Sequence, residues 1–217
     1  MVVQDKVTVL AGFGLTPLAL AAAPVATEAK VPMIVMAAAT AMIPTRSPFI
    51  VRANFTLPQV TAPIAEWALK NKIKRVVTMV TDYGPGLDSE KTFHAVFKAG
   101  GGEIVEAIRT PLRNPDYAPF LQRAKDAKPD ALFVFVPSGE GLAVMKQFDE
   151  RGLKQAGIRM IGTGDVTDDD LLESMGAPAV GVITSFHYSA AHDSPENKAY
   201  VDSFMKANNG MRPNFHS

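Results

Sequence analysis

Cysteine is absent from the 217 residues, which removes disulfides, thiolate metal sites and cysteine nucleophiles together. That absence suits the cytoplasm and the periplasm equally. An excess of charge of either sign is also missing. The 22 basic residues balance 22 acidic ones, so the chain has no basic stripe of the kind that phosphate backbones select. Its longest acidic run, Asp168 to Asp170, is too short to act as an interaction tail. Nor is there an unbroken apolar run of the ~20 residues that a membrane span needs. Residues 7–26 come nearest, but Gly12, Gly14, Pro17 and Pro24 interrupt them. Asp5 and Lys6 cancel just ahead of that stretch, where a secretory signal would carry positive charge. The stretch therefore reads as a strand over 7–11, a glycine turn and a helix of small residues. There is no repeat of fixed period.

Catalytic signatures are equally scarce. Gly12-Phe13-Gly14 continues to Leu15, Thr16 and Pro17 without the third glycine of a dinucleotide fingerprint. No phosphate-binding loop, zinc-helix motif or nucleophile elbow appears. The histidines (94, 187, 192 and 216) are scattered. His187 and His192 lie five apart, but no further ligand sits at a metal-binding spacing, so solvated loop positions describe them better. Asp168, Asp169 and Asp170 read as the acidic opening of a helix over 169–175. Nothing in the sequence points to an enzyme, a resident metal or a cofactor.

What is present is 47% hydrophobic residues, enough for a sizeable core. Apolar runs at 31–36, 75–80, 103–108, 131–136, 159–162 and 181–186 predict strands, several of them buried on both faces. Between them, helical spacing predicts helices over 63–73, 87–99, 117–127 and 140–151. Such alternation is the pattern of βαβ units with parallel sheets and right-handed crossovers. Ligands of open parallel sheets sit beyond the C-terminal strand ends. The loops to watch are therefore 12–16, 37–40, 82–86, 137–141 and 162–166. Among their residues Thr16 and Thr40 offer hydroxyls. On residue type alone each reads better as a helix cap, and only its position at the crevice favours a ligand.

Several segments, taken in order, resemble one family. Residues 10–16 (Leu-Ala-Gly-Phe-Gly-Leu-Thr), 31–35 (Val-Pro-Met-Ile-Val) and 38–40 (Ala-Ala-Thr) resemble first-lobe loops of leucine/isoleucine/valine-binding proteins. Residues 81–86 (Thr-Asp-Tyr-Gly-Pro-Gly) resemble that family's second-lobe loop, and 116–121, 129–133 and 161–163 continue the match. These are the type I periplasmic solute-binding proteins of ABC importers. The resemblance implies an α/β fold of two Rossmann-like lobes with parallel sheets, closing on a ligand by hinge motion.

Carried over, the hydroxyls of Thr16 and Thr40, with the backbone at Ala38 and Ala39, would hold a ligand carboxylate. Tyr83 would close over the ligand from the second lobe, with Ser138 and Asp165 beside it. Gly164 stands where amino-acid binders place an acid for the ammonium group, so either Asp165 takes that role or the ligand lacks an amine. The implied ligand is a branched-chain or other hydrophobic amino acid, or an aromatic or aliphatic acid. The implied partner is a membrane permease, the implied compartment the periplasm, and no cofactor is implied. Family members are longer than this chain. The expected division is therefore a partial first lobe over 1–58 and 188–217 and a second lobe over 59–187, with self-association where the first lobe leaves apolar faces open. An amino-acid sensor of the same fold and an α/β enzyme are the alternatives.

Overall fold

The computed structural model describes residues 2–113 and 115–217 and contains two sheets, both wholly parallel. A short helix α1 (Val2–Asp5) precedes the first sheet. That sheet has three strands in the order β1 (Leu10–Gly12), β2 (Met33–Val35), β3 (Ile50–Arg52), with Leu10, Met33 and Ile50 in register. Helix α2 (Thr16–Ala29) crosses from β1 to β2. Its inward positions Ala19, Ala23 and Ala26 are small, so the backbone lies close on Met33, Val35 and Ile50. Pro24 sits inside this helix, where it removes one backbone hydrogen bond without ending the helix. The opposite face of the sheet is left uncovered: Val51 is 59% exposed, whereas parallel sheets are ordinarily covered on both faces.

Helix α3 (Leu57–Lys70) carries the chain to the second sheet. It opens where the Gln59 side chain accepts from the Thr56 N–H at 2.8 Å. The second sheet runs β5 (Glu103–Thr110), β4 (Arg75–Thr81), β6 (Ala131–Phe135), β7 (Arg159–Thr163), β8 (Ile183–Ser185). α3 and α4 (Gly84–Ala99) cover one face, where Phe93 stacks on Phe133 with ring centroids 4.3 Å apart. α5 (Ala118–Asp126) and α6 (Gly141–Glu150) cover the other, over Val77, Met79, Leu132 and Val134. Burial on both faces explains why β4 and β6 read as continuous apolar runs.

The elements depart from the sequence expectation in a few places. β1 begins at Leu10, three residues later than expected, and β2 is shorter at both ends. Helix α7 covers only Leu172–Met175. Asp168 closes a turn ahead of it by accepting from the Asp170 N–H at 3.2 Å, so the acidic run does not cap a helix. β3 and the final helix α8 (Pro195–Ala207) were not expected at all. α8 begins where the Ser194 hydroxyl accepts from the Asn197 N–H, and none of its residues is buried. Among the described residues no helix is long and apolar enough to cross a membrane.

Candidate functional site

The second sheet changes direction at β4. The chain goes outward to β5, then returns across β4 to form β6 on its other side. The loops leaving β4 and β6 therefore diverge and open a crevice at their C-terminal ends. Tyr83 follows β4, Ser138 follows β6 and Asp165 follows β7. The structure brings these three together. The Tyr83 ring lies over Phe135 with centroids 6.1 Å apart. Burial, and the facing charge of Asp165, push the Tyr83 phenol well above its ordinary range, so it stays a hydrogen-bond donor. The Asp165 carboxylate accepts from Thr163 Oγ1 at 2.9 Å and from the Ser138 hydroxyl. By surface area the residue is half-buried. Burial raises its pKa to about 6, outweighing those hydrogen bonds. Gly164 cannot carry a side chain: a Cβ there would fall 2.4 Å from the Phe186 ring.

The first sheet contributes the other half. Thr16 and Thr40 are both buried, 3% and 2% exposed, and their hydroxyls are hydrogen-bonded to each other at 2.6 Å across 24 residues of sequence. Neither hydroxyl caps a helix. Leu15 takes the N-cap position of α2, and Thr16 is its first helical residue. The loop 38–41 is held with its carbonyls turned away. Those of Ala38 and Thr40 accept from the Arg52 guanidinium, and that of Ala39 accepts from the Leu57 N–H at 3.1 Å. The Ala38 N–H is taken up by the Phe13 carbonyl at 2.8 Å. A loop whose carbonyls point outward removes the partial negative charge that would repel an anion.

The two halves touch. A Cβ on Gly84, the first residue of α4, would fall 2.6 Å from Thr40 Oγ1 and 3.2 Å from Thr16 Cγ2. The first turns of α2 and α4, helices of 14 and 16 residues, thus meet at the threonine pair. Each helix start carries partial positive charge and unpaired N–H groups. Two facing N-termini repel one another unless something negative lies near them. A carboxylate has the right charge and the right two acceptor oxygens for this position.

Sequence reasoning missed three of these residues. Gly84 is informative only through what it touches. Arg52 ends the unrecognised strand β3, and a strand followed by a charged residue was the signal available. Asp88, on α4, accepts from the Ala41 N–H at 2.7 Å, a contact that no local pattern announces. The histidines lie elsewhere. His187 Nε2 bonds the Phe215 carbonyl at 3.1 Å, and burial lowers its pKa. His187 also lines, with Ile64, Trp67, Phe186 and Tyr188, a separate cavity of about 550 Å³ beside β8. Among the described residues no group of three histidine, aspartate or glutamate side chains is placed to hold a metal ion.

Comparison with known proteins gives a consistent result. The family model for periplasmic binding proteins matches residues 1–217. The Leu/Ile/Val-binding protein homolog 6 of Brucella melitensis is 47% identical over 208 residues, which is 95% of this chain and 53% of that relative. A solute-binding protein of an ABC transporter from Rhodopseudomonas palustris BisB5, solved with 3,4-dihydroxybenzoic acid, is 61% identical with a TM-score of 0.92. The match covers 99% of this chain and 59% of that one. Another from R. palustris, solved with 4-hydroxybenzoate, is 44% identical with a TM-score of 0.90, over 94% of this chain and 56% of that one. The chain spans about half the length of the curated relatives it matches.

Proposed function

The chain belongs to the periplasmic binding proteins, and from that premise we propose that it is ligand-binding sequence of an ABC importer's solute receptor, selective for a small hydroxylated aromatic carboxylate. In this reading it captures the ligand reversibly in the periplasm, hands it to a membrane permease and performs no chemistry on it. The lobes divide as 1–58 with 188–217, and 59–187. Rotation occurs about the two crossovers, where Phe55 meets Phe186 and His187 at centroid distances of 4.9 and 4.3 Å.

The observation that carries the proposal is the meeting of Thr16, Thr40 and the first turn of α4. A carboxylate there accepts from both hydroxyls and relieves the repulsion of two helix starts. Its ring then lies toward Tyr83 and Phe135, and a ring hydroxyl reaches Asp165 as donor. The neutral Tyr83 phenol and a half-buried carboxylate suit a phenolic ligand. The names of two neighbours, solved with dihydroxy- and hydroxybenzoate, support the same class.

The second reading is a branched-chain amino acid, favoured by the name of the Brucella relative. Calorimetric titration separates the two. Heat from 4-hydroxybenzoate and 3,4-dihydroxybenzoate, with none from leucine or a branched 2-oxo acid, is the expected outcome. Heat from leucine alone replaces the proposal with the amino-acid reading, and silence from all four ends both.

A further inference from the structure

We propose that Asp88 is a closure latch, a positioning residue that touches no ligand but holds the two halves of the cleft together once they have met. This rests on the cleft being the binding site proposed above. Asp88 stands in the second turn of α4, anchored on the second sheet, and its Oδ2 accepts from the Ala41 N–H at 2.7 Å. Ala41 belongs to the other half, in the loop after β2. The bond therefore spans the cleft, between residues 47 apart in sequence, and it exists only while the two halves are in contact.

The rest of the loop makes that bond specific. Arg52 Nη1 donates to the Ala38 carbonyl at 2.6 Å and to Asn54 Oδ1 at 3.0 Å, and Nη2 donates to the Thr40 carbonyl. Asn54 Nδ2 holds the Ala37 carbonyl at 2.7 Å. With these three donors, and the Leu57 N–H on the Ala39 carbonyl, pinning residues 37–40 from behind, the next amide, that of Ala41, is aimed at α4. Burial lowers the pKa of the Arg52 guanidinium, and the charge of Asp88 opposes that lowering. Asp88 thus completes a sequence of positive side chain, fixed loop and negative side chain, with the loop clasped between opposite charges. When the cleft opens, both the Ala41 N–H and the carboxylate return to water, so the latch adds to the closed state alone. A contact of this kind acts on escape. Ligand enters an open cleft in which Asp88 and Ala41 are apart, and leaves only after their bond breaks.

Two variants test it, Asp88→Ala and Asp88→Asn, alongside the unaltered chain. The probes are 4-hydroxybenzoate, by stopped-flow dissociation and association, and hydrogen exchange at the Ala41 amide with that acid bound, since the bond forms only in the closed cleft. For a partly exposed charge-assisted bond, Asp88→Ala should raise the dissociation rate about tenfold and leave the association rate within about twofold. It should speed Ala41 exchange by a similar factor. Asp88→Asn keeps an acceptor oxygen and loses the charge, so it should fall between, which a general loss of structure would not produce. If Asp88→Ala does not fold, Asp88→Asn alone should show roughly a threefold effect on both rates. Unchanged Ala41 exchange in the variants overturns the latch. So does an unchanged dissociation rate in a protein that binds. If the unaltered chain takes up leucine and no aromatic acid, the proposal of an aromatic ligand falls, while Ala41 exchange with leucine bound still decides the latch; a chain that binds none of the acids overturns both.

Discussion

Gly84→Ala adds one methyl group at the point where the two halves of the cleft meet. Its Cβ would sit 2.6 Å from Thr40 Oγ1 and 3.2 Å from the Cγ2 atoms of Thr16 and Thr40, against an ordinary separation of about 3.5 Å or more. Thr40 cannot simply turn away, because it is buried and its hydroxyl is bonded to Thr16 at 2.6 Å. Overpacking of this degree costs about 1–3 kcal/mol, and loss of the hydroxyl pair adds about 1 kcal/mol. Together these predict a 2–4 kcal/mol penalty on closure, roughly a 30- to 900-fold weaker Kd. The methyl also takes space that a carboxylate between the threonines needs, so a bound ligand does not lessen the effect. Helix α4 itself tolerates alanine, a better helix former than glycine, so thermal stability should hold or rise slightly. Titration calorimetry with 4-hydroxybenzoate, paired with a thermal melt, reads both quantities. Binding within threefold of the unaltered chain, at an unchanged Tm, would refute the placement of the cleft at Gly84.

Thr40→Val keeps the side chain's shape and removes the hydroxyl, leaving Thr16 without its partner; a Kd weaker by roughly 10- to 100-fold is expected, and a change below threefold in calorimetry counts against the carboxylate site. Asp165 has a pKa raised from 3.8 to about 6, so between those values the folded chain holds a proton that the unfolded chain has released. Stability therefore falls as pH rises through that window. Asp165→Asn should flatten this fall and raise stability at pH ~7.5 by roughly 1–3 kcal/mol; melts at acidic and neutral pH showing the same slope in both proteins contradict it. Phe133→Ala removes a fully buried ring stacked on Phe93 and should cost about 3–5 kcal/mol in urea unfolding, whereas a cost below about 1 kcal/mol would show that the core around it repacks freely.

The parts of this molecule that could be read from sequence are those whose physics is local. β4 and β6 are covered on both faces, so they stand out as unbroken apolar runs. α4, α5 and α6 announce themselves by spacing, and each boundary is off by a few residues at most. β3 escaped because its apolar run, Phe49 to Val51, is cut off by Pro48 on one side and Arg52 on the other. α8 escaped although Ser194 and Pro195 mark its start and Tyr200, Val201, Phe204 and Met205 recur at helical spacing. The same division runs through the site. Thr16 and Thr40 could be named because each follows a strand end in a predictable way, whereas Tyr83, Ser138 and Asp165 were named through the family resemblance of the loops that carry them. Gly84, Arg52 and Asp88 could not, since their roles depend on how separate segments approach in space. On residue type alone the hydroxyl of Thr16 read better as a helix cap than as a ligand contact, and the structure removes the cap reading by placing Thr16 inside α2 with its hydroxyl on Thr40.

Under the proposed function, the bond between Thr16 and Thr40 would also govern which molecules the cleft can tell apart. Between two hydroxyls one hydrogen is shared and the second is left to point elsewhere. A carboxylate draws both hydrogens onto itself, exchanging one neutral bond for two charge-assisted ones. A primary amide or a methyl ester of the same acid brings no charge and at best one good acceptor, so it merely swaps like for like. Discrimination between an acid and its neutral derivatives then arises from the count of bonds exchanged, with no steric barrier needed to turn the derivatives away.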